Sequence, residues 1–187
     1  MKDRSPVQRI AIVGNGGTGK TTLARRLGPL LELPVFHTDS LLWRAGWRQA
    51  PDEEYRAAED EILVQPAWIF DGLGAWPSLL RRVAAADAIL FTDYPLETAL
   101  AWARRRVEEH RNRPRAELAE GCPEGAIEER LYPLIEHIHR EWRPKLVTLL
   151  GEAAQTKPVH VLATPADTAR LVAAVERLHA LPPPIIA

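Results

Sequence analysis

The run Gly14-Asn15-Gly16-Gly17-Thr18-Gly19-Lys20-Thr21 crowds glycines, a lysine and hydroxyls into one short stretch. Its spacing is the Walker A pattern G-x-x-x-x-G-K-[ST], whose chemistry is the grip of a polyphosphate. Glycines reach backbone conformations closed to other residues and let main-chain N–H groups approach phosphate oxygens. Those N–H groups form a concave nest for an anion. A helix beginning near Thr21 aims its positive end at the same phosphates. Lys20 supplies a point charge for the β- and γ-phosphates, and the Thr21 hydroxyl suits Mg²⁺. The expected nucleotide-binding set is Gly14, Asn15, Gly16, Gly17, Thr18, Gly19, Lys20, Thr21 and Thr22, with ATP and Mg²⁺ as the bound species.

Other residues extend that chemistry. Asp39 follows a short apolar run, in His37-Thr38-Asp39. There it is placed to hold Mg²⁺ through water or to accept the proton of an acceptor hydroxyl; its other reading is a helix cap. Asp71 ends an apolar run as a Walker B aspartate would, and Asp93 has the same form. Gly72 after Asp71 leaves room for a substrate, which favours Asp71 as the metal carboxylate, beside Thr21 and Asp39. Arg104, Arg105, Arg106, Arg111, Arg113 and Arg115 cluster further on. Arginine forks match phosphate oxygens, so one or more of them is expected to neutralise the migrating group. Arg140, Arg143 and Lys145 could join from the far side. Trp43 and Trp47 flank Gly46 and read as local core or as a stacking surface. His137 and His139, two apart, make a poor metal pair on a helix. Cys122 reads as a loop residue.

These residues need a scaffold that gathers them. Ile10–Val13 is β-branched, short and stopped by glycine, as a buried parallel strand would be. A helix follows over 21–33, where Leu23, Leu27, Leu30 and Leu31 share a face and Pro34 closes it. Strands are expected at 34–37, 68–70, 88–91 and 159–162, and helices at 51–64, 76–86, 96–111 and 167–181, the last ended by Pro182-Pro183-Pro184. Residues 112–125 read as a loop. Residues 126–150 read as a long helical stretch that Pro133 and Pro144 interrupt or kink. Strands alternating with helices predict an α/β fold with a parallel sheet covered on both faces. Ligands then sit beyond the carboxyl ends of the strands, where Asp39, Asp71 and Asp93 fall.

Composition sets bounds. The chain has 187 residues and a net charge of −1. That size suits one α/β domain over 1–187. The near-zero charge argues against a nucleic-acid surface built on bulk charge. One cysteine allows no intrachain disulfide. No run is long enough to cross a bilayer and the start of the chain is polar, so a cytoplasmic location with no membrane partner is expected.

The chain also resembles the small P-loop kinases grouped with adenylate kinase, and within them the FlaR-like subgroup, often labelled DNA topology modulation protein. The resemblance rests on Gly14 to Thr22, on His37-Thr38-Asp39 with Trp43 and Gly46-Trp47, and on Trp68-Ile69-Phe70-Asp71-Gly72. It continues through Ala119-Glu120-Gly121-Cys122-Pro123-Glu124 and Arg143-Pro144-Lys145, covering about 9–175. It implies a three-layer P-loop NTPase fold whose five parallel strands run in the order 2-3-1-4-5. It implies a lid near 112–125 with Arg105 and Arg106 at its base as catalytic arginines. It also implies adenine contacts near Ala163-Thr164-Pro165. Adenylate kinases proper carry a Pro-Arg pair after the Asp-Gly; this chain has Leu73-Gly74-Ala75, leaving Arg81 or Arg82 for that role.

The expected function is an ATP- and Mg²⁺-dependent phosphotransferase, nucleoside monophosphate kinase-like. It would act on a nucleotide, nucleoside or similar small metabolite, with Lys20, Asp39, Arg105 and Arg106 as catalytic residues. The alternative is an ATP-binding regulatory protein with little transferase activity. A GTP switch matches D-x-x-G at Asp71–Gly74 but lacks an Asn-Lys-x-Asp motif.

Overall fold

A computed structural model describes residues 7–180. The Leu181–Pro184 end of the last expected helix lies outside them. The chain runs β1 (Arg9–Gly14), α1 (Lys20–Leu31), β2 (Val35–His37), α2 (Thr38–Leu42), β3 (Trp43–Arg44), β4 (Arg48–Gln49), α3 (Asp52–Leu63), β5 (Trp68–Asp71) and α4 (Trp76–Ala85). It continues through β6 (Ala88–Thr92), α5 (Leu96–Glu109), a 3₁₀ turn (Glu124–Ile127), α6 (Glu128–His137), a π turn (Ile138–Trp142), α7 (Arg143–Ala153), β7 (Val159–Leu162) and α8 (Pro165–Ala180).

Five strands form one parallel sheet in the order β2-β5-β1-β6-β7. Numbered along the chain, that is the expected order 2-3-1-4-5. The central strands are apolar throughout because helices cover both faces. Alternation along β1 decides which core each residue joins. Ala11 and Val13 pack with Trp68, Phe70, Ile89 and Phe91 beneath α4 and α7. Ile10 and Ile12 pack with Leu23 and Leu27 of α1 and Val172 of α8. The architecture is therefore a three-layer α/β fold with a five-stranded parallel sheet.

Two details differ from the pattern read in the sequence. Pro133 lies inside α6 and does not end it. The long helical stretch breaks instead at the π turn, ahead of Pro144 at the start of α7. The extra residue of a π turn removes the clash that a proline ring makes with the carbonyl four residues back, here Arg140. In addition, β3 and β4 form a small antiparallel hairpin that pairs Trp43 with Gln49 and Arg44 with Arg48. Among the described residues, no helix is long and apolar enough to cross a membrane.

Candidate functional site

The carboxyl ends of β1, β5 and β2 meet by register. Ile12 of β1 lies beside Asp71 of β5, and Asp71 lies beside His37 of β2. The phosphate loop leaves β1 here and turns directly into α1, whose N-cap is Gly19. Gly17 and Gly19 hold φ angles of +73° and +76°, a region that strains any residue with a Cβ. A Cβ on Gly17 would also collide with the Ala99 carbonyl of α5. Side chains brace the loop. Thr18 Oγ1 donates to the Asn15 carbonyl at 2.8 Å and shares a 2.7 Å hydrogen bond with Thr92 Oγ1. Asn15 Nδ2 donates to the Ile135 carbonyl at 2.8 Å, tying the loop to α6.

Lys20 Nζ donates to the Asn15 carbonyl at 2.6 Å. Burial strips water from its ammonium and lowers its pKa from 10.5 to about 8. Asp71 and Asp39 oppose that shift, while Arg106 and Arg115 reinforce it. These five side chains therefore form one electrostatic group.

Asp71 is buried, 2% exposed. His37 Nδ1 meets its Oδ1 at 2.8 Å, and Thr38 Oγ1 donates to its carbonyl at 2.7 Å. Its Oδ2 is buried with no hydrogen-bond partner. Burial disfavours charge on His37, but the hydrogen bond and charge of Asp71 outweigh it and raise the imidazole pKa. Asp39 sits in the first turn of α2, half-exposed, and accepts from Arg115 Nη2 at 3.0 Å. Arg115 Nε donates to Glu124 Oε1 at 2.6 Å, and Arg106 Nη2 to Glu124 Oε2 at 3.2 Å. Glu124 is fully buried. One carboxylate thus aims two arginines at the space between Lys20 and Asp39.

Some expected residues lie elsewhere. Arg105 is 81% exposed and pairs with Glu109 on the solvent side of α5, so it does not join Arg106. The helix turns adjacent residues about 100° apart, and only one of the pair can face the loop. Asp93 is held by a bidentate Arg143 at 2.7 and 2.8 Å, which leaves Asp39 and Asp71 as the carboxylates near Lys20. Arg81 pairs with Glu59 and Asp60. Arg82 is fully buried, stacks its guanidinium 5.0 Å from the Phe70 ring centroid, and donates to Thr38 Oγ1 and the carbonyls of Gly72 and Leu73. Neither arginine is free to take an acceptor phosphate. Trp43 and Trp47 pack edge to face, centroids 5.3 Å apart, in a small core with Leu118 and Cys122.

That small core seals the segment 112–125 against the β3–β4 hairpin. Gly46 N–H donates to the Gly121 carbonyl at 2.9 Å and Trp47 Nε1–H to the Pro123 carbonyl at 2.8 Å. The Cys122 thiol, buried, donates to the Arg44 carbonyl at 3.2 Å. Glu124 was not singled out as a site residue from the sequence, and Arg82 was named only as a substitute for the missing Pro-Arg pair: an acidic or basic residue on an amphipathic stretch gives no sign that it is buried.

Oxygen donors suit Mg²⁺, which binds proteins through one or two carboxylates and completes its shell with phosphates and water. The unpartnered Asp71 Oδ2, the Asp39 carboxylate and the Thr21 hydroxyl fit that donor set. Among the described residues, no three His, Cys, Asp or Glu side chains gather as a metal-holding group.

No family model and no curated protein matches the chain. Solved structures do match its fold. A shikimate kinase from Acinetobacter baumannii, in complex with shikimate, superposes with a TM-score of 0.58 at 18% identity, over 92% of each chain. A shikimate kinase from Bacteroides thetaiotaomicron gives 0.51 at 14% identity, over 94% of this chain and 100% of that one. Identity this low shows a shared fold. The FlaR-like resemblance finds no separate support in these matches.

Proposed function

We propose that this chain is a Mg²⁺- and ATP-dependent phosphotransferase whose acceptor is a small hydroxylated metabolite. The observation that carries the reading is the convergence of Lys20, Asp39, Asp71, Arg106 and Arg115 beside a braced phosphate loop. The loop N–H groups and Lys20 hold the β- and γ-phosphates. Asp39 accepts the proton of the acceptor hydroxyl. Arg106 and Arg115 balance the charge on the equatorial oxygens of the migrating group. Arg115 already spans Asp39 and Glu124, so a small shift moves it from carboxylate to phosphate. Mg²⁺ held by Thr21 with Asp71 or Asp39 would supply further neutralisation of the phosphate oxygens. The chain acts as one unit, with residues 112–125 as a lid that excludes water.

The acceptor class follows from Arg81 and Arg82. Arg82 is buried with its own partners and Arg81 is paired with two carboxylates, which disfavours an acceptor that itself carries a phosphate, such as a nucleoside monophosphate. Both structural neighbours are shikimate kinases, which supports a hydroxylated metabolite without naming it.

The test is ADP release from Mg·ATP with a panel of hydroxylated acids, sugars, nucleosides and nucleoside monophosphates. Stimulation by one hydroxylated compound is expected. Asp39→Asn should lower that stimulated rate about 10²- to 10⁴-fold while ATP still binds, the usual range for a lost general base. An Asp39→Asn enzyme as fast as wild type would overturn the role of Asp39.

A further inference from the structure

Trp102 of α5 leaves 41% of its surface exposed, yet it is fixed on two sides. Its Cζ3 lies so near Gly19 that a Cβ there would come within 3.0 Å of it. Tyr94 meets the indole edge to face, with centroids 5.5 Å apart and planes at 89°. The Tyr94 hydroxyl is in turn hydrogen-bonded to Thr168 Oγ1 of α8 at 2.5 Å. An indole held by its neighbours while much of it stays open is a preorganised aromatic surface, and it abuts the last glycine of the phosphate loop.

The sheet order says what would reach it. Asp39 and Asp71 come from the ends of β2 and β5, on one side of β1. Tyr94, Trp102 and Thr168 follow β6 and β7, on the other side. A nucleotide with its phosphates in the loop and its γ-phosphate toward the carboxylates must send its nucleoside toward β6 and β7. Arg106 lies one helical turn beyond Trp102 on α5 and acts on Lys20, so the same helix face passes from the phosphate end to the nucleoside end.

We propose that Trp102 is the platform on which the base of the bound nucleotide stacks, an inference that rests on the phosphotransferase reading above. Stacking uses the π-face common to all bases, so Trp102 adds affinity for the nucleoside and none for the phosphates.

The experiment measures dissociation constants by calorimetry for two probes, Mg·ATP and inorganic tripolyphosphate with Mg²⁺. The proteins are wild type, Trp102→Leu and Trp102→Phe. Leucine keeps apolar packing against Gly19 and removes the π-face; phenylalanine keeps both in smaller form. Trp102→Leu should weaken ATP about 10- to 100-fold, the range of base–aromatic stacking, and leave tripolyphosphate unchanged. Trp102→Phe should recover most of the ATP affinity. Equal loss for both probes would show that Trp102 only shapes the loop, and undiminished ATP binding would remove it from the site; either result overturns the inference. Wild-type protein that binds neither probe would overturn the phosphotransferase reading itself.

Discussion

Lys20 shows how much one residue's surroundings can hold in readiness. A lysine at its ordinary pKa of 10.5 stays charged through the neutral range, whereas this one falls to about 8 by burial, aided by two arginines. The unfolded chain holds that proton more firmly, so the contribution of Lys20 to stability rises with pH between about 8 and 10.5. In the proposed reading, an incoming triphosphate reverses the imbalance. Binding of ATP near pH 8, where phosphate groups are fully ionised, should take up about half a proton, fading toward pH 6. Calorimetry in buffers of different ionisation enthalpy reads that uptake directly. Lys20→Ala should lose the uptake and the turnover together; uptake that survives the substitution would assign it to another group. The phosphate-loop residues were legible in the sequence because their backbone and charge requirements leave few alternatives. Arg105 was not separable from Arg106, since neighbours on a helix differ only in facing, and burial of Ala99, Ala103 and Val107 sets that facing.

At the scale of elements, the segment 112–125 is held less by its own structure than by Glu124. That carboxylate is fully buried and accepts from both Arg106 and Arg115. Breaking a buried ion pair from one side leaves uncompensated charge and costs about 3–5 kcal/mol. Glu124→Gln should therefore release the segment while sparing the sheet. Hydrogen exchange should show lost amide protection across 112–127 and unchanged protection in β1 and β6; an unaltered segment would contradict this. The helices and sheet strands were readable from apolar periodicity and proline punctuation. The β3–β4 hairpin was not, because strands of two residues carry no period. Its tryptophans pack with Leu118, Ala119, Cys122, Pro123 and Ile127, some seventy residues later in the chain.

For the whole molecule, the end of the sheet opposite the phosphate loop is fastened by Asp87. Its carboxylate accepts from the backbone N–H groups of Gln8 and Arg9 and from the Arg9 guanidinium at 2.7 Å. Burial opposes its charge, but those donors outweigh it and lower its pKa below the ordinary 3.8. The stabilisation is thus complete above 3.8 and is lost as pH falls below it. Asp87→Ala should cost about 1.5–3 kcal/mol at neutral pH, the scale of a hydrogen bond to a charged group. Denaturant titrations should then show the gap between variant and wild type closing on acidification; a gap independent of pH would contradict the assignment. The sheet order itself was anticipated only through resemblance, since no local pattern says which strand lies beside which.

The placement of β1 between β5 and β6 has an evolutionary corollary. Strands β2 and β5, the elements between them and α4, from Val35 through Ala85, come from one uninterrupted stretch of chain. In the proposed reading that stretch handles the acceptor, while the nucleotide is held by segments before and after it. A lineage could therefore inherit the phosphate donor machinery intact and acquire a new acceptor by exchanging a single cassette. The main polar constraint on such a graft is the seam at Asp39, Arg44, Gly46 and Trp47, where the cassette must still fasten to Arg115, Cys122, Gly121 and Pro123.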